Sequence, residues 1–459
     1  MDLIFSQMLR SELDVNILYL YNATQTYTNA VFEHLDAFRH FSEHRVFFMH
    51  SPPDCEFSVD LSLFDAVCVH FSIRLPYDQL SASTIAALNE FKGLKFLFIQ
   101  DEYDYTHRAW HWIGVVGFQL VFTVVPEHNI ESVYPPERFL NIRFQTNLTG
   151  YVPNDLIKDV AILPPSQRKV IVGYRGRPLP ARYGALGFEK IKIGAMVRDY
   201  CKRNGISSDI AWTEDARIYG PAWYSFMTSC RAMLGSESGS NVFDWDGQLD
   251  TQIAEHRRHN PLASDVEIYN EIVRLHEIDG IMNQISPRVF EAIAARTVLV
   301  LFEGEYSGVV RPEEHFIPLK KDGSNLPEVF AKLNDARYVD EMAERAFRDI
   351  IGSGSYSYSA FVEMIDGHIK SLFDTLSFGR VAMGRPMSSS TEADVRPSQF
   401  TTMPIRAVAL KNRSLVEWDG TLKFVVPVSQ IWGRVPESAR VWLRPMAHRI
   451  KRALFSGEH

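Results

Sequence analysis

Three features are scarce in this sequence, and each scarcity excludes a class of protein. Only four cysteines occur in 459 residues, none at Cys-x-x-Cys spacing, so neither a disulfide framework nor a zinc-thiolate site is predicted. Lys and Arg number 48 against 56 Asp and Glu, a net charge of -8, which argues against a general nucleic-acid binder. The longest apolar run, Ile113 to Val125, is too short to span a bilayer.

The amino terminus also lacks the pattern of a secretory signal. Met1 to Leu13 alternates charged and apolar residues and has no sustained hydrophobic core. We therefore expect a cytoplasmic protein.

What is present predicts a two-domain α/β protein. The length exceeds one compact core, and the composition, 46% hydrophobic and 12% aromatic, is globular. Strand-like runs alternate with helical patterns in the first half: Asn16 to Tyr21, Arg45 to Met49, Phe64 to Phe71, Leu94 to Gln100 and Leu120 to Val125. Such alternation is typical of parallel, doubly wound sheets, which bind ligands beyond the carboxyl ends of their strands. We expect Rossmann-like domains over 1–160 and 161–378, then a linker and tail over 379–459.

The stretch Ser286 to Phe302 predicts a short helix that leads into a buried strand. Ser286 suits the N-cap, Pro287 the first helical position, and a β-branched run follows. The start of such a helix, with Arg288 one residue inside and Glu291 one turn on, suits a phosphorylated, ribose-bearing ligand.

This stretch, with the Gly-containing loop Glu303 to Gly308 and the segment Pro312 to Lys320, resembles the donor-binding half of GT-B glycosyltransferases of the group 1 type. The resemblance covers about residues 165 to 370. It implies two Rossmann-like domains facing a cleft and a Glu291 that contacts the donor ribose. The family often carries a second Glu eight residues upstream, where this sequence has Asn283.

The resemblance also implies an Arg and a Lys that neutralise the diphosphate. These are Arg175 and Lys190, with Arg177 as a substitute; the alternative is that they are solvated surface cations. A small-residue loop after the strand Arg231 to Leu234 predicts further donor contacts. Its candidate residues are Gly235, Ser236, Glu237, Ser238, Gly239 and Asn241. Asp244-Trp-Asp246 matches a metal-binding Asp-x-Asp, but we interpret the match as accidental.

The loop after the strand Leu94 to Gln100 is the candidate acceptor side. Asp101 is the predicted acceptor base if configuration inverts; if it is retained, the donor phosphate takes the proton. Glu102, Asp104 and His107 are predicted acceptor-side residues. Two alternatives stay open: Asp104 caps a helix that carries His107 and His111 on one face, or the two histidines and a carboxylate hold a metal.

The tail has a different composition. Gly384 to Pro404, rich in Ser, Thr and Pro, is typical of a linker, and residues 436–455 combine cations with apolar side chains. A basic amphipathic helix here would lie on an anionic membrane or dock on the protein.

Together these features predict a metal-independent GT-B glycosyltransferase without a cofactor. It would move a sugar from a nucleotide-diphosphate donor to a glycan or lipid-linked acceptor, in envelope polysaccharide or glycoconjugate synthesis, at the inner face of the membrane. The alternatives are a GT-B sugar-nucleotide epimerase and a non-catalytic membrane-associated binding protein.

Overall fold

A computed structural model describes residues 15–24, 30–152, 162–376 and 415–416, and its strands form two sheets. The first sheet has the order β12-β2-β1-β3-β4-β5-β6, parallel throughout except for β12. Its strands are β1 (Asn16–Tyr21), β2 (Arg45–His50), β3 (Ala66–Val69), β4 (Leu94–Phe98), β5 (Leu120–Thr123), β6 (Arg143–Thr146) and β12 (Leu415–Val416). The helices between these strands are α1 (Ala30–Phe41), α2 (Ala82–Glu90), α3 (Thr106–Val116) and α4 (Ile130–Val133).

The second sheet has the order β11-β10-β9-β7-β8 and is entirely parallel. Its strands are β7 (Val170–Arg175), β8 (Ser208–Ala211), β9 (Cys230–Gly235), β10 (Val298–Phe302) and β11 (Phe316–Leu319). The helices of this half are α5 (Gly184–Asn204), α6 (Pro221–Ser229), α7 (Gln248–His259), α8 (Asp265–Glu271), α9 (Pro287–Ala294), α10 (Leu326–Asn334), α11 (Ala336–Ala346) and α12 (Tyr358–Leu376).

The predicted fold class, two Rossmann-like doubly wound domains, is confirmed. In the second sheet β7 lies between β8 and β9, so the strand order reverses there. Connections leave β7 and β9 in opposite directions at such a point, which opens a crevice at their carboxyl ends. No helix in the described part of the chain is both long and apolar enough to cross a membrane.

Helix α12 returns to the first sheet. Phe361 and Ile365 are buried in the same core as Tyr19 and Phe38, and the Asp366 carboxylate accepts a backbone hydrogen bond from Glu43. The end of the chain's second half therefore completes the core of the first.

Two segments of the second half also pack into the first domain, and we call them the strap: residues 241–245 and 280–285. Phe243, Ile281 and Met282 are buried in the core that contains strands β3 to β5. Gln284 donates its amide to the carbonyl of Val124. The strap therefore joins the two domains beside the cleft.

Candidate functional site

A cavity of about 320 Å³ lies at the switch point of the second sheet. Arg175 at the end of β7, Gly235 at the end of β9, and Ser286 and Arg288 at the start of α9 all line it. The strand ends and the helix start that the sequence places near a ligand thus meet in one cavity, as the topology requires.

Helix α9 forms where Ser286 to Phe302 predicts it. Pro287 occupies the first turn, and Val289, Phe290 and Ile293 are buried. Ser286 is the N-cap residue, as predicted, but its hydroxyl makes no capping hydrogen bond, and Ser286 lines the cavity. Pro287 has no N–H and the Val289 N–H donates to the carbonyl of Ser286, so the backbone N–H of Arg288 is the one that faces this wall without an intrahelical partner and with partial positive charge.

Lys190 brings a buried amine to the cavity lining. Its Nζ donates to the carbonyl of Glu237 and to the hydroxyl of Ser238, each at 3.2 Å. Burial, with a smaller contribution from the charge of Arg288, lowers the pKa of Lys190 to about 8. An ammonium has three N–H groups, so one is available to an anion in the cavity.

This pKa makes diphosphate binding depend on pH. The protonated amine attracts the anion and predominates below about pH 8, so affinity is highest there and falls as pH rises past that value. We expect the Kd of a nucleoside diphosphate to weaken by about tenfold between pH 7 and 9. Calorimetric titrations at both pH values measure it; in Lys190→Met the same pH change should have little effect, and a parallel loss there contradicts the assignment.

The three predicted arginine positions differ in what their guanidinium groups contact. Arg175 is neutralised: it pairs with Asp209 at 2.9 Å and its plane lies over Phe226. Arg177 is exposed and makes no hydrogen bond or ion pair among the described residues. Arg288 donates to the carbonyl of Arg175 at 2.7 Å. In this conformation Arg177 and Arg288 are better placed than Arg175 for an anion, and the role of Arg175 stays a prediction.

Part of the small-residue loop faces the cavity. Gly235, Ser236 and Ser238 line it. Gly239 has a φ of 91°, and a Cβ there would collide with the carbonyl of Met282. Asn241 hydrogen bonds Asn283 at 2.8 Å. Ser238 also exchanges two backbone hydrogen bonds with Gln284, at 2.7 and 2.9 Å, so the loop is held against the strap on one side and open to a ligand on the other.

Glu237 is buried within this loop rather than in the cavity lining. Its carboxylate accepts hydrogen bonds from the Asn283 amide at 2.6 Å and from the backbone of Glu305 and Tyr306. Burial raises the pKa of Glu237, and these donors oppose the rise. In this structure Glu237 holds the loop after β10, and its predicted ligand contact stays a prediction.

Glu291 lies beside the cavity, next to Ala292 and Trp223 in its lining. Trp223 donates its indole N–H to Glu291 at 2.7 Å. Burial raises the pKa of Glu291, and the indole and Arg288 lower it. Its charge also acts on Glu33 of α1 and on Tyr358 at the start of α12, both in the first domain. Glu291 thus borders the space between the domains.

The sequence reasoning missed helix α6, which supplies Trp223. Its local signal was present, because Gly220 and Pro221 suit the residues before and at a helix start. This signal predicts where α6 begins but does not predict that α6 packs beside α9.

The loop between β4 and α3 places Asp101 on the first domain's side. Asp101 has a φ of 59°, and its side chain is 46% exposed. It accepts hydrogen bonds from the Tyr103 hydroxyl at 2.7 Å and from Arg74 at 3.3 Å. His107 is exposed, with its ring near Trp110 and Trp245.

Asp104 forms the second connection between the domains. Its carboxylate accepts hydrogen bonds from Arg74 at 3.3 Å, from the Tyr77 hydroxyl at 2.8 Å and from Arg182 of the second domain. Burial raises the pKa of Asp104, and Arg182 opposes that rise most strongly. Asp104 does not cap α3, whose N-cap is Tyr105. We call the Asp104–Arg182 ion pair the latch.

Glu102 is fully buried, which corrects its expected position facing the acceptor. One carboxylate oxygen accepts from the Thr123 hydroxyl and the backbone of Val124, and the other has no partner among the described residues. Burial raises the pKa of Glu102 to about 7. In this structure it holds the loop against β5.

Glu102 makes stability depend on pH. In the folded state Glu102 keeps its proton between the ordinary pKa of 4.5 and about 7. The contribution of protonated Glu102 to the free energy of unfolding is therefore complete below pH 4.5 and is lost as pH rises through 7. We expect Glu102→Gln, which is neutral at every pH, to raise Tm at pH 8 by about 2 to 5 °C. Melting curves of both proteins from pH 5 to 8.5 measure the difference in Tm between Glu102→Gln and the wild type. A difference in Tm that stays constant across that range contradicts the prediction.

Asp244 binds the backbone at the start of α7, whose N-cap residue is Gly247. Its carboxylate accepts backbone hydrogen bonds from Gly247, Leu249 and Asp250 at the start of α7. Within residues 15–24, 30–152 and 162–376, no group of three or more His, Cys, Asp and Glu side chains is arranged to hold a metal ion.

Two parallel-sheet domains, a cavity at the second sheet's switch point and a helix returning to the first define a GT-B fold. The chain's structural neighbours are GT-B glycosyltransferases. One is an α-glucosyltransferase solved with UDP and a 13-mer DNA, 10% identical, covering 78% of this chain and 100% of its own, with a TM-score of 0.46. Anabaena HepE with UDP is 10% identical over 78% of this chain and 100% of its own, with a TM-score of 0.42.

Sucrose-phosphate synthase from Thermosynechococcus elongatus is 11% identical over 78% of this chain and 99% of its own, with a TM-score of 0.41. At these values the likeness identifies neither reaction nor ligand. No family model matches the chain, and no curated protein matches its sequence.

Proposed function

We propose that this protein is a glycosyltransferase that binds a nucleotide-diphosphate sugar in its second domain and an acceptor in its first. The observation that carries the proposal is the buried Lys190 amine in the cavity lining, beside Arg288 and the start of α9. A buried cation with no carboxylate hydrogen-bonded to it costs free energy unless an anion joins it. Arg177, exposed at the same cavity, adds a further cation.

The same groups suit the reaction that a sugar nucleotide undergoes. When the glycosidic bond to phosphate breaks, negative charge grows on the leaving diphosphate. Cations and helix N–H groups that are already in place stabilise that charge without reorganising. We therefore propose transfer without a metal ion, with Arg177, Lys190 and Arg288 around the diphosphate and Glu291 on the ribose.

The acceptor proton has two possible destinations. Asp101, held between Tyr103 and Arg74, accepts it in an inverting reaction. In a retaining reaction the donor phosphate accepts it, and Asp101 orients the acceptor.

We propose a glycan or lipid-linked glycan as the acceptor, in envelope polysaccharide or glycoconjugate synthesis. The support is the basic amphipathic sequence of residues 436–455, which lies outside the described residues and suits an anionic membrane surface. On this proposal the protein works in the cytoplasm at the inner face of the membrane.

The first test is a thermal-shift screen of UDP, GDP, CDP and ADP and their sugar derivatives, with and without EDTA. We expect one nucleotide series to raise Tm, to do so equally in EDTA, and to lose most of the effect in Lys190→Met. No shift with any nucleotide would contradict the proposal and favour a non-catalytic scaffold. An epimer formed from the sugar nucleotide alone would identify an epimerase instead.

A further inference from the structure

Helix α6 places one aromatic side chain between the two charged groups of α9. Trp223 lines the cavity, donates its indole N–H to Glu291 Oε2 at 2.7 Å, and lies under the Arg288 guanidinium at 5.3 Å from the ring centroid. A carboxylate at the ring edge and a cation on the ring face both match the charge distribution of indole.

Without Trp223, these two charged groups would be expected to pair with each other. Arg288 and Glu291 are three residues apart on α9, the spacing at which helical side chains become neighbours. Yet no ion pair joins them in the described structure: the indole N–H engages Glu291, and Arg288 donates to the carbonyl of Arg175 at 2.7 Å. Each group is thus held away from the other and keeps hydrogen-bonding capacity.

One carboxylate oxygen of Glu291, Oε1, makes no hydrogen bond among the described residues and can therefore accept one from a ligand. Because the side chain is largely enclosed and Oε2 is fixed by a short charge-assisted hydrogen bond, Oε1 has a defined direction. A fixed carboxylate oxygen of this kind accepts a hydrogen bond from one ribose hydroxyl, and that bond is lost with the deoxy analogue that lacks this hydroxyl.

We propose that Trp223 is a positioning residue that sets the preference of this site for ribonucleotides by orienting Glu291 and keeping it from pairing with Arg288. The inference rests on the proposed function and adds to it the residue through which the sugar of the nucleotide is recognised. It predicts that removing only the indole N–H weakens sugar recognition more than diphosphate recognition.

The test compares Trp223→Phe with the wild type on UDP, GDP and ADP and on their 2′-deoxy and 3′-deoxy analogues, by calorimetry. We expect the wild type to prefer the ribose form of the nucleotide that it binds by about tenfold. Trp223→Phe keeps an aromatic face for Arg288 and loses the donor, so the preference should fall to about twofold or less. Affinity for the deoxy analogue should change by less than about threefold.

A double-mutant cycle with Glu291→Gln separates this role from a general structural one. If Trp223 acts through Glu291, then Trp223→Phe in the Glu291→Gln background should produce no further loss of the ribose preference. Trp212→Phe is the matched control, because Trp212 also stacks on an arginine, Arg198 at 4.0 Å, in the same domain and does not line the cavity. We expect that variant to keep the full preference.

Three results would overturn the inference. A ribose preference in folded Trp223→Phe equal to that of the wild type removes Trp223 from sugar recognition while leaving the proposed function intact. Additive losses in the cycle show that Trp223 does not act through Glu291. Binding of no nucleotide by the wild type overturns the proposed function, and this inference with it. If Trp223→Phe does not fold, Glu291→Gln still tests whether the ribose preference depends on this carboxylate. A Glu291→Gln variant that keeps the full ribose preference would also overturn the inference.

Discussion

Replacing Lys190 with methionine should lower kcat/KM for turnover of the sugar nucleotide by about 10²- to 10³-fold. Among the described residues the Lys190 amine hydrogen bonds only a carbonyl and a hydroxyl, so its main electrostatic partner would be the diphosphate of the donor. Release of nucleoside diphosphate during hydrolysis of the sugar nucleotide identified by the screen measures the effect without knowledge of the acceptor.

The stability of this variant makes the result interpretable. Removing a buried cation that has no hydrogen-bonded carboxylate relieves a desolvation cost, so Lys190→Met should melt at the wild-type temperature or above it. Lys192→Met is the matched control, since Lys192 is exposed on the same helix and its loss should leave turnover unchanged. A loss of less than about fivefold in Lys190→Met would show that the diphosphate binds elsewhere.

Asp104→Ala should destabilise the protein by about 3 kcal/mol, because Arg182 would lose its buried partner and keep only the partly exposed Asp250, 3.2 Å from its Nε, as an ion-pair partner. Asp104 and Arg182 have side chains only 3% and 10% exposed, so water cannot replace the missing partner. Urea unfolding measures the effect, and we expect the first domain and the strap to lose protection from hydrogen exchange together.

Two further variants show whether the charge itself is responsible. Asp101→Ala removes a carboxylate that is 46% exposed, and its effect on stability should stay within about 1 kcal/mol. The pair Asp104→Leu with Arg182→Met should recover more than half of the loss, because an apolar pair leaves no buried charge. A change below about 1 kcal/mol in Asp104→Ala would mean that the latch contributes little and that the strap and α12 hold the domains together.

Local patterns in the sequence predict much of the fold. The strand runs and the start of α9 at Pro287 follow from signals within a few residues. Each of these depends on the backbone near the residue itself, which is why the sequence is sufficient.

The candidate site is predicted less completely, because side-chain direction depends on distant partners. Arg175 lies where the sequence places it, but its guanidinium already pairs with Asp209 and packs on Phe226. Glu102 comes shortly after a strand, where an exposed residue is expected. Its carboxylate is instead buried and accepts a hydrogen bond from the Thr123 hydroxyl on the neighbouring strand. No sequence pattern around Trp223 or Arg182 indicates that Trp223 contacts Glu291 or that Arg182 pairs with Asp104.

The strap has a consequence for how the chain is made. Phe243, Ile281 and Met282 belong to the core of the first domain, as do Phe361 and Ile365 of α12. The amino-terminal half of a nascent chain therefore cannot complete its folding when residue 152 leaves the ribosome, although domains commonly fold in order of synthesis. Until about residue 376 has left the exit tunnel, apolar surface on that half stays uncovered, and a nascent chain stalled before α12 should bind chaperones that a full-length chain no longer binds.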